Sequence, residues 1–183
     1  MKKYTILVFL FIIFLSTVSP IKIQAQDQLE IEMNLSISDK HRPLYGGRLT
    51  LVPDLEFSGN FEGYLEEGVF RSYLLYTSLP LNLLYGYNTE FELGFSQQEN
   101  LEIGEEYRGI MIGNNWEKQF TEKIITFTNL KLGLYPSSVI PMYRLGFTYN
   151  FAGNKNIKIA YQGFNKDITG VTLGVSLELP GEK

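Results

Sequence analysis

Apolar and polar residues alternate with a period of two along most of this chain, from Leu29 to Leu179. The final segment shows the pattern most clearly, with apolar residues at Val171, Leu173, Val175, Leu177 and Leu179. The residues between them are Thr172, Gly174, Ser176 and Glu178. Consecutive residues of a strand point to opposite faces, so this pattern predicts a sheet with one apolar face and one polar face.

Ten segments carry this alternation, and residues that favour turns separate them. We predict strands at residues 29–37, 48–57, 61–65, 69–87, 91–95, 107–116, 124–135, 143–151, 157–163 and 169–179. Their spacing of about ten residues is typical of an all-β fold. It also matches the roughly 9–11 residues that a tilted strand needs to cross a lipid bilayer.

Turn chemistry predicts how these strands are connected. Turns are expected at Ser58-Gly59-Asn60 and at Asn88-Thr89, and a loop is expected over residues 97–106. Pro80 lies inside the fourth predicted strand. Because proline has no N–H group, it predicts a bulge or a local break in strand pairing at that point.

The N-terminus has the layout of a secretory signal peptide. Two lysines are followed by an apolar run from Tyr4 to Leu15, a more polar stretch, and a small-residue cleavage site that ends at Ala25. The apolar run is shorter than the roughly 20 residues that a membrane-spanning helix needs. We therefore predict a cleaved signal peptide at residues 1–25 and one mature domain at residues 26–183.

Composition removes several classes of function. The chain contains no cysteine, which excludes disulfides, thiolate metal sites and a cysteine nucleophile. Removal of residues 1–25 leaves 13 of the 16 basic side chains against 20 acidic ones, a net charge of −7. An acidic chain without a basic patch argues against nucleic acid as a partner. No later apolar run approaches the length of a spanning helix, so this domain could cross a bilayer only as a closed barrel.

The polar face indicates which side of the sheet meets water. It consists mainly of Gly, Ser, Thr and Asn, whereas the outer surface of a soluble barrel is usually rich in Lys and Glu. Small residues suit a narrow lumen, where side chains from opposite strands meet. The apolar face carries aromatic residues near strand ends, as membrane barrels do in their interfacial girdles: Tyr85, Tyr87, Trp116, Tyr135, Tyr143 and Phe151. We therefore predict an antiparallel up-and-down transmembrane β-barrel of about 8–10 strands.

Two segments resemble a known group of membrane proteins. The segment from Tyr76 to Tyr87 contains Leu79-Pro80-Leu81, and it resembles a strand common in small outer-membrane β-barrel domain proteins of the porin superfamily. The N-terminal signal and the terminal strand at residues 170–177 are similar to that family too. The resemblance covers most of the mature chain and implies a barrel in the bacterial outer membrane.

Charged residues of both signs fall on the polar face. They are Glu30, Glu32, Arg48, Asp54, Glu56, Glu62, Glu92, Lys131, Arg144, Lys158 and Glu178. Buried charges need partners, so we interpret them first as a structural network of ion pairs and hydrogen bonds that fills the lumen. The alternative is a selective path for a small solute or ion. The lumen charge network predicted in this way comprises Arg48, Asp54, Glu56, Glu92, Lys131, Arg144, Lys158 and Glu178.

The sequence offers few residues for catalysis or metal binding. His41 is the only histidine and lies in a predicted loop, beside Ser38 and Asp39, whose side chains point apart on an extended chain. A barrel hydrolase would need a serine, a histidine and an acid within hydrogen-bond reach. The loop at residues 97–106 contains four glutamates, but their spacing matches no known calcium-binding loop. We predict no catalytic site, no metal and no cofactor.

These observations leave three functional hypotheses. The first is a non-enzymatic barrel of the cell outer membrane with a structural or small-solute transport role. Its partners would be outer-membrane lipid and, beyond that, a small solute or an envelope protein. The second hypothesis is a soluble periplasmic β-barrel that binds a ligand in an apolar interior. The third is an outer-membrane lipid-modifying enzyme.

Overall fold

The computed structural model describes residues 28–38, 43–54, 57–81, 86–151, 153–164 and 168–180. Its strands are β1 (Gln28–Ser38), β2 (Pro43–Asp54), β3 (Phe57–Glu66), β4 (Phe70–Leu81), β5 (Asn88–Asn100), β6 (Glu105–Gln119), β7 (Ile124–Tyr135), β8 (Ser138–Asn150), β9 (Lys155–Gly163) and β10 (Thr169–Pro180). Each strand pairs antiparallel with the next one in the chain, and β1 pairs with β10. The ten strands therefore close into an up-and-down barrel, which confirms the predicted fold class.

Four features predicted from the sequence lie outside the described residues. They are the signal peptide, the loop that contains His41, the aromatic residue Tyr85 and the charged residue Glu56. No helix that is long and apolar enough to cross a membrane occurs in the described part of the chain.

The barrel has two ends, which we name by the chain segments that they hold. The terminus end holds Gln28, the first residue of β1, and Pro180, the last residue of β10. The turn end lies opposite and includes the turn at residues 101–104. Gly68 and Gly104 have φ angles of 74° and 69° in turns at this end, a backbone conformation that residues with a side chain rarely adopt. Glycine at these positions allows tight connections between neighbouring strands.

Side-chain exposure alternates along the strands as the sequence predicts. On β10, Val171 and Leu173 are 59% and 56% exposed on the outside, whereas Thr172 between them is fully buried. On β4, Leu74 is 1% exposed and its neighbour Leu75 is 61% exposed. The outer face of the barrel is therefore apolar, and most of the buried side chains lie on the inner face.

The third strand is longer than predicted, and the turn predicted at Ser58-Gly59-Asn60 is wrong. β3 begins at Phe57, which the alternation assigns to the preceding strand, and it pairs with both β2 and β4. Neighbours on both sides supply partners for the backbone, and they outweigh the local turn preference of these three residues. The Asn60 side chain finds its partners inside the barrel, where it donates to the Ser58 and Ser78 hydroxyls at 3.0 Å.

The fourth predicted strand is shorter than predicted. β4 ends at Leu81, and the residues predicted as a turn, Asn88 and Thr89, are the first two of β5. Pairing between β4 and β5 runs through Pro80 without a register shift, so the predicted bulge at Pro80 is wrong. The described pairing of β4 with β3 extends to Ser78, and the residue that this register places opposite Pro80, Glu56, lies outside the described residues.

The acidic segment predicted as a loop at residues 97–106 is mostly strand. The turn is limited to its central residues, and the residues before and after that turn belong to β5 and β6. Arginines of the same sheet neutralise these strand ends: Arg71 Nη1 lies 3.5 Å from Glu99 Oε2, and Arg108 Nη2 lies 2.7 Å from Glu106 Oε1. The first pair joins two neighbouring strands and the second lies within β6, and both reduce the like-charge repulsion that would otherwise disfavour a strand here.

Candidate functional site in the polar lumen

Lys131 is the centre of one half of the charge network inside the barrel. Its Nζ lies 2.8 Å from Glu62 Oε1 on β3 and 3.7 Å from Glu92 Oε2 on β5. The ammonium also lies 4.0 Å from the centre of the Tyr76 ring, and Arg48 Nε lies 3.7 Å from Glu62 Oε1. Lys131 is 4% exposed and Glu92 is fully buried. These charges therefore stabilise one another in place of water.

Glu32 is the centre of the second half. Its two carboxylate oxygens lie 2.6 Å from Arg144 Nη2 on β8 and 2.6 Å from Lys158 Nζ on β9. Lys158 also donates to Glu30 at 2.8 Å, and Arg144 donates to the side-chain oxygen of Asn34 at 2.9 Å. β1 thus supplies the acceptors, while β8 and β9 supply the cations. Strands that are not neighbours in the sheet are joined across the lumen in this way.

Hydroxyl and amide groups donate further hydrogen bonds to the acids around Lys131. Tyr64 donates to Glu62 Oε2 at 3.2 Å, and Tyr76 donates to the other oxygen of the same carboxylate. Asn129 donates to Glu92 Oε1 at 2.9 Å. Both acids therefore have a cation and a neutral donor. Buried charges with several partners are held in one geometry, which is typical of a structural network.

The structure brings together five of the eight residues predicted for the network. These five are Arg48, Glu92, Lys131, Arg144 and Lys158, and their partners include Glu30, Glu32 and Glu62. Glu178 lies apart from them on β10 near the terminus end, where it accepts a hydrogen bond from Asn156 at 2.9 Å. Asp54 is the last residue of β2, after a register shift that follows Leu51, and its side chain lies outside the described part of the chain. Glu56 lies outside the described residues.

A polar vestibule opens from the network toward the terminus end. Its volume is about 270 Å³. The polar side chains that line it are Glu30, Arg48, Thr50, Ser58, Ser78, Glu90, Asn115, Glu117 and Lys158. The Asn115 amide nitrogen lies 3.5 Å from Glu90 Oε2 and 3.3 Å from Glu117 Oε1 on one wall. The vestibule has the size and polarity to admit water and a small polar solute.

Apolar side chains that were not predicted from the sequence close the lumen at the turn end. This apolar cap consists of Leu44, Tyr64, Val69, Phe70, Leu74, Tyr76, Met111, Met142, Phe164 and Ile168. Phe164, which follows β9, packs with its ring centre 4.4 Å from that of Tyr64 and 5.6 Å from that of Phe70. Leu74 and Met111 occupy polar-phase positions of their strands. Continuing the alternation through these apolar residues would have predicted that they point inward.

Tyr135 is an exception to the predicted aromatic girdle, and its assignment to the outer face is wrong. Its ring points into the barrel, where it is 7% exposed and shares a hydrogen bond of 2.6 Å with the Ser96 hydroxyl. β7 carries apolar residues on both faces, so alternation alone does not say which face points inward. The one charged residue of the strand, Lys131, decides it. Lys131 is on the same face as Tyr135, and in the lumen this lysine pairs with Glu62 and Glu92. Among the other predicted girdle residues, Tyr87 and Phe151 are exposed.

A smaller cavity of about 50 Å³ lies between the network and the cap. Two of its lining atoms, Gln162 Oε1 and Arg144 Nε, are buried and have no hydrogen-bond partner among the described residues. Ordered water usually satisfies such atoms, and the volume suits a few water molecules. The free space in the lumen therefore decreases from the vestibule to this smaller cavity, which has room only for water molecules.

The described residues contain no group of three or more His, Asp or Glu side chains that could hold a metal ion. His41 and the side chain of Ser38 lie outside the described part of the chain. The hydrolase alternative, which depends on these two residues, therefore stays a prediction.

Comparisons with known proteins give a structural similarity but no sequence relative. No protein-family model matches the chain, and no curated protein matches it in sequence. The KdgM porin superposes with a TM-score of 0.51 at 10% identity, and the match covers 81% of this chain and 98% of that one. The N-terminal β-barrel domain of OprF from Pseudomonas aeruginosa is 15% identical, with a TM-score of 0.44 and coverages of 85% and 100%. The similarity to KdgM shows a shared porin-like barrel fold.

Proposed function

We propose that this protein is a non-enzymatic β-barrel of the bacterial outer membrane with a structural role. The distribution of its side chains carries the proposal, because the exposed face is apolar and the buried face is largely polar. Leu75, Phe95 and Val171 on the outer face are 61%, 69% and 59% exposed, whereas Glu92 on the inner face is fully buried. A water-soluble barrel has the opposite arrangement, and an extensive exposed apolar surface fits contact with lipid.

The strands also meet the physical requirements for crossing a bilayer. They contain between 9 and 15 residues, and a tilted strand needs about 9–11 to span the hydrocarbon layer. Closure of the sheet gives every strand a partner on both sides, which satisfies the backbone polar groups where water is absent. Outer-membrane lipid is therefore the first partner that we propose.

The closed lumen favours a structural role over general diffusion of solutes. A solute that enters the vestibule reaches the charge network, in which Lys131 and Glu62 are 2.8 Å apart and Glu32 is bound by two cations. Passage would require separation of these pairs, which is costly in a buried site. Beyond them it would have to displace the apolar cap, where Phe164 packs against two aromatic rings.

Transport of a small solute is the second candidate function, and the vestibule favours it. A polar cavity of about 270 Å³ at one end of the barrel has room for a small polar solute. Its wall contains charges of both signs, which could set selectivity for an ion or a small polar molecule. Such a role requires a second state in which Phe164 moves away from Tyr64, so conduction would be intermittent.

Two measurements on the full-length chain test these proposals. Electrophoresis in detergent compares unheated and boiled protein from the envelope fraction, and a closed membrane barrel is expected to show a heat-dependent change in mobility. Planar-bilayer recordings then separate the two roles. A structural barrel gives no sustained conductance, whereas recurrent openings would favour transport. Protein in the soluble periplasmic fraction without a heat-dependent shift would contradict both roles and favour the ligand-binding alternative.

A further inference from the structure

The vestibule has two walls that carry opposite kinds of unused hydrogen-bonding groups. On one wall, the Arg48 guanidinium donates to the Asn60 side-chain oxygen from Nη2 at 3.0 Å and from Nε at 3.3 Å. Its one ion pair within the described part of the chain is with Glu62, whose Oε1 lies 3.7 Å from Nε. Nη1 has no acceptor among the described residues. Arg48 lines the vestibule, so the N–H groups of Nη1 are free to donate to a solute there.

The other wall holds two carboxylates that lack a cation. Glu90 on β5 and Glu117 on β6 line the vestibule, and both are half-buried. The amide nitrogen of Asn115 lies 3.5 Å from Glu90 Oε2 and 3.3 Å from Glu117 Oε1. Neither carboxylate forms an ion pair with another described residue. Two acids that share one neutral donor leave lone pairs and negative charge facing the vestibule.

The other charges around the vestibule are balanced. Lys158 Nζ lies 2.8 Å from Glu30 and 2.6 Å from Glu32, so two acids occupy this cation. The charge network as a whole is neutral, because its four cations match its four acids. Its members are Arg48, Lys131, Arg144 and Lys158 with Glu30, Glu32, Glu62 and Glu92. The excess charge that a solute meets in the vestibule is therefore negative, and it lies on Glu90 and Glu117.

We propose that the vestibule binds a small organic cation that carries a primary ammonium group and a neutral oxygen acceptor. The inference rests on the transport candidate of the proposed function and names the class of its solute. The ammonium group donates to Glu90 and Glu117, and the oxygen accepts a hydrogen bond from Arg48 on the other wall. The vestibule volume of about 270 Å³ accommodates such a molecule.

The two walls also explain why other solutes fit less well. An ammonium group has three N–H donors, enough for both carboxylates, whereas a neutral solute leaves them without a positive partner. An anion is repelled by Glu90 and Glu117, and a carboxylate on the solute would meet Arg48 beside Glu62. A divalent metal ion takes about six or more oxygen ligands. No group of three or more His, Asp or Glu side chains that could hold one occurs among the described residues.

Three molecules of similar size and different charge separate these cases. They are serinol (the amino analogue of glycerol) as the cation, glycerol as the neutral molecule and glycerate as the anion. Binding to the full-length barrel in detergent is followed by saturation-transfer NMR of the ligand, a method suited to weak binding. Titration of each ligand gives its dissociation constant. The heat-dependent mobility shift shows whether the parent and each variant have folded.

We expect serinol to bind about tenfold more tightly than glycerol, as two partly exposed ionic hydrogen bonds would give, and glycerate to bind more weakly than glycerol. The double variant Glu90→Gln with Glu117→Gln should reduce the advantage of serinol over glycerol to less than about twofold. Arg48→Lys keeps the charge but loses the Nη1 donors, so it should weaken serinol and glycerol by a similar factor of about threefold.

Glu178→Gln is the matched control for the double variant. Glu178 is a carboxylate near the same end of the barrel, but it does not line the vestibule and it accepts a hydrogen bond from Asn156 at 2.9 Å. Its substitution should leave the advantage of serinol within about twofold of the parent value.

The contrary outcomes are distinguishable from one another. Equal binding of the three molecules, or no binding, to a parent barrel that shows the heat-dependent shift would overturn the cation site and leave the membrane barrel intact. An advantage of serinol that survives in the double variant, or that Glu178→Gln reduces as much, would place the attraction outside the vestibule and overturn the site. Displacement of serinol by an equal concentration of calcium would show a metal ion on the two acids and overturn it as well. Serinol binding without openings in planar-bilayer recordings would support the site and contradict transport.

Discussion

Removal of the Lys131 ammonium group tests whether the charge network holds the barrel together. Lys131→Met preserves the length and the apolar stem of the side chain and removes only the charge. The ammonium lies 2.8 Å from Glu62 and 3.7 Å from Glu92, and it is buried with them. The substitution therefore leaves two carboxylates in the lumen without their shared cation, and no rearrangement of the outer face can compensate for it.

The expected loss can be worked out from the partners that remain. Removing one member of a buried ion pair typically costs about 3–5 kcal/mol. Glu62 keeps Arg48 at 3.7 Å and the hydrogen bond from Tyr64 at 3.2 Å, whereas Glu92 keeps the hydrogen bond from Asn129 at 2.9 Å. Most of the cost therefore falls on Glu92. Adding Glu92→Gln should recover about 1–2 kcal/mol of the free energy of unfolding, since contacting residues couple by amounts of this order.

Reversible unfolding in urea, with the barrel in lipid vesicles and Trp116 fluorescence as the signal, measures both effects. Arg71→Met is the matched control, because Arg71 forms an exposed pair with Glu99 at 3.5 Å. Exposed pairs of this kind contribute about 0–1 kcal/mol. If Lys131→Met costs no more than Arg71→Met, or if Glu92→Gln deepens the loss, the interpretation of the network as a stabilising structure is refuted.

The remaining predictions concern the two faces of the barrel. Val175→Arg on the outer face should lower the free energy of unfolding by about 2–4 kcal/mol and reduce assembly in membranes. Val139→Arg at the turn end is the control and should lower it by about 0–1 kcal/mol. The heat-dependent mobility shift measures how much of each variant assembles. Leu74→Ala in the apolar cap should lower the free energy of unfolding by about 2–5 kcal/mol. Leu75→Ala on the outer face should cost clearly less in the same urea assay, and equal losses would contradict the face assignment. Gly94→Ala should cost about 1–3 kcal/mol, because a Cβ there would lie 2.1 Å from the Leu75 carbonyl oxygen; a thermal midpoint like that of the parent would argue against this close approach.

Strand ends illustrate where local sequence reasoning fails for this protein. Ser58-Gly59-Asn60 has the composition of a turn, yet β2 and β4 pair with it on both sides and make it part of a strand. The glutamates between residues 97 and 106 favour a solvated loop, yet Arg71 and Arg108 neutralise two of them within the sheet. The partners of Ser58-Gly59-Asn60 and the Arg71 partner of Glu99 lie on other strands, and their positions depend on a register that no short segment contains.

The same limit applies to the lumen. The inward positions of Arg48, Glu92 and Lys158 were predictable, because the phase of each strand is readable from a few neighbouring residues. Their pairings were not predictable. Lys131 and Glu62 are separated by 69 residues, and Lys158 and Glu32 by 126, so each contact depends on the registers of several intervening strands.

The sequence by itself therefore determined the fold class, the apolar outer face and the charged inner face, because the pleat of a strand converts alternation directly into two faces. Tertiary structure alone decided that ten strands close on one another, that a polar vestibule lies toward the terminus end and that apolar side chains cap the lumen at the turn end. It also decided the inward position of Tyr135 and the contacts of Phe164. These features arise where side chains from distant strands meet, and closure of the barrel is what brings them together.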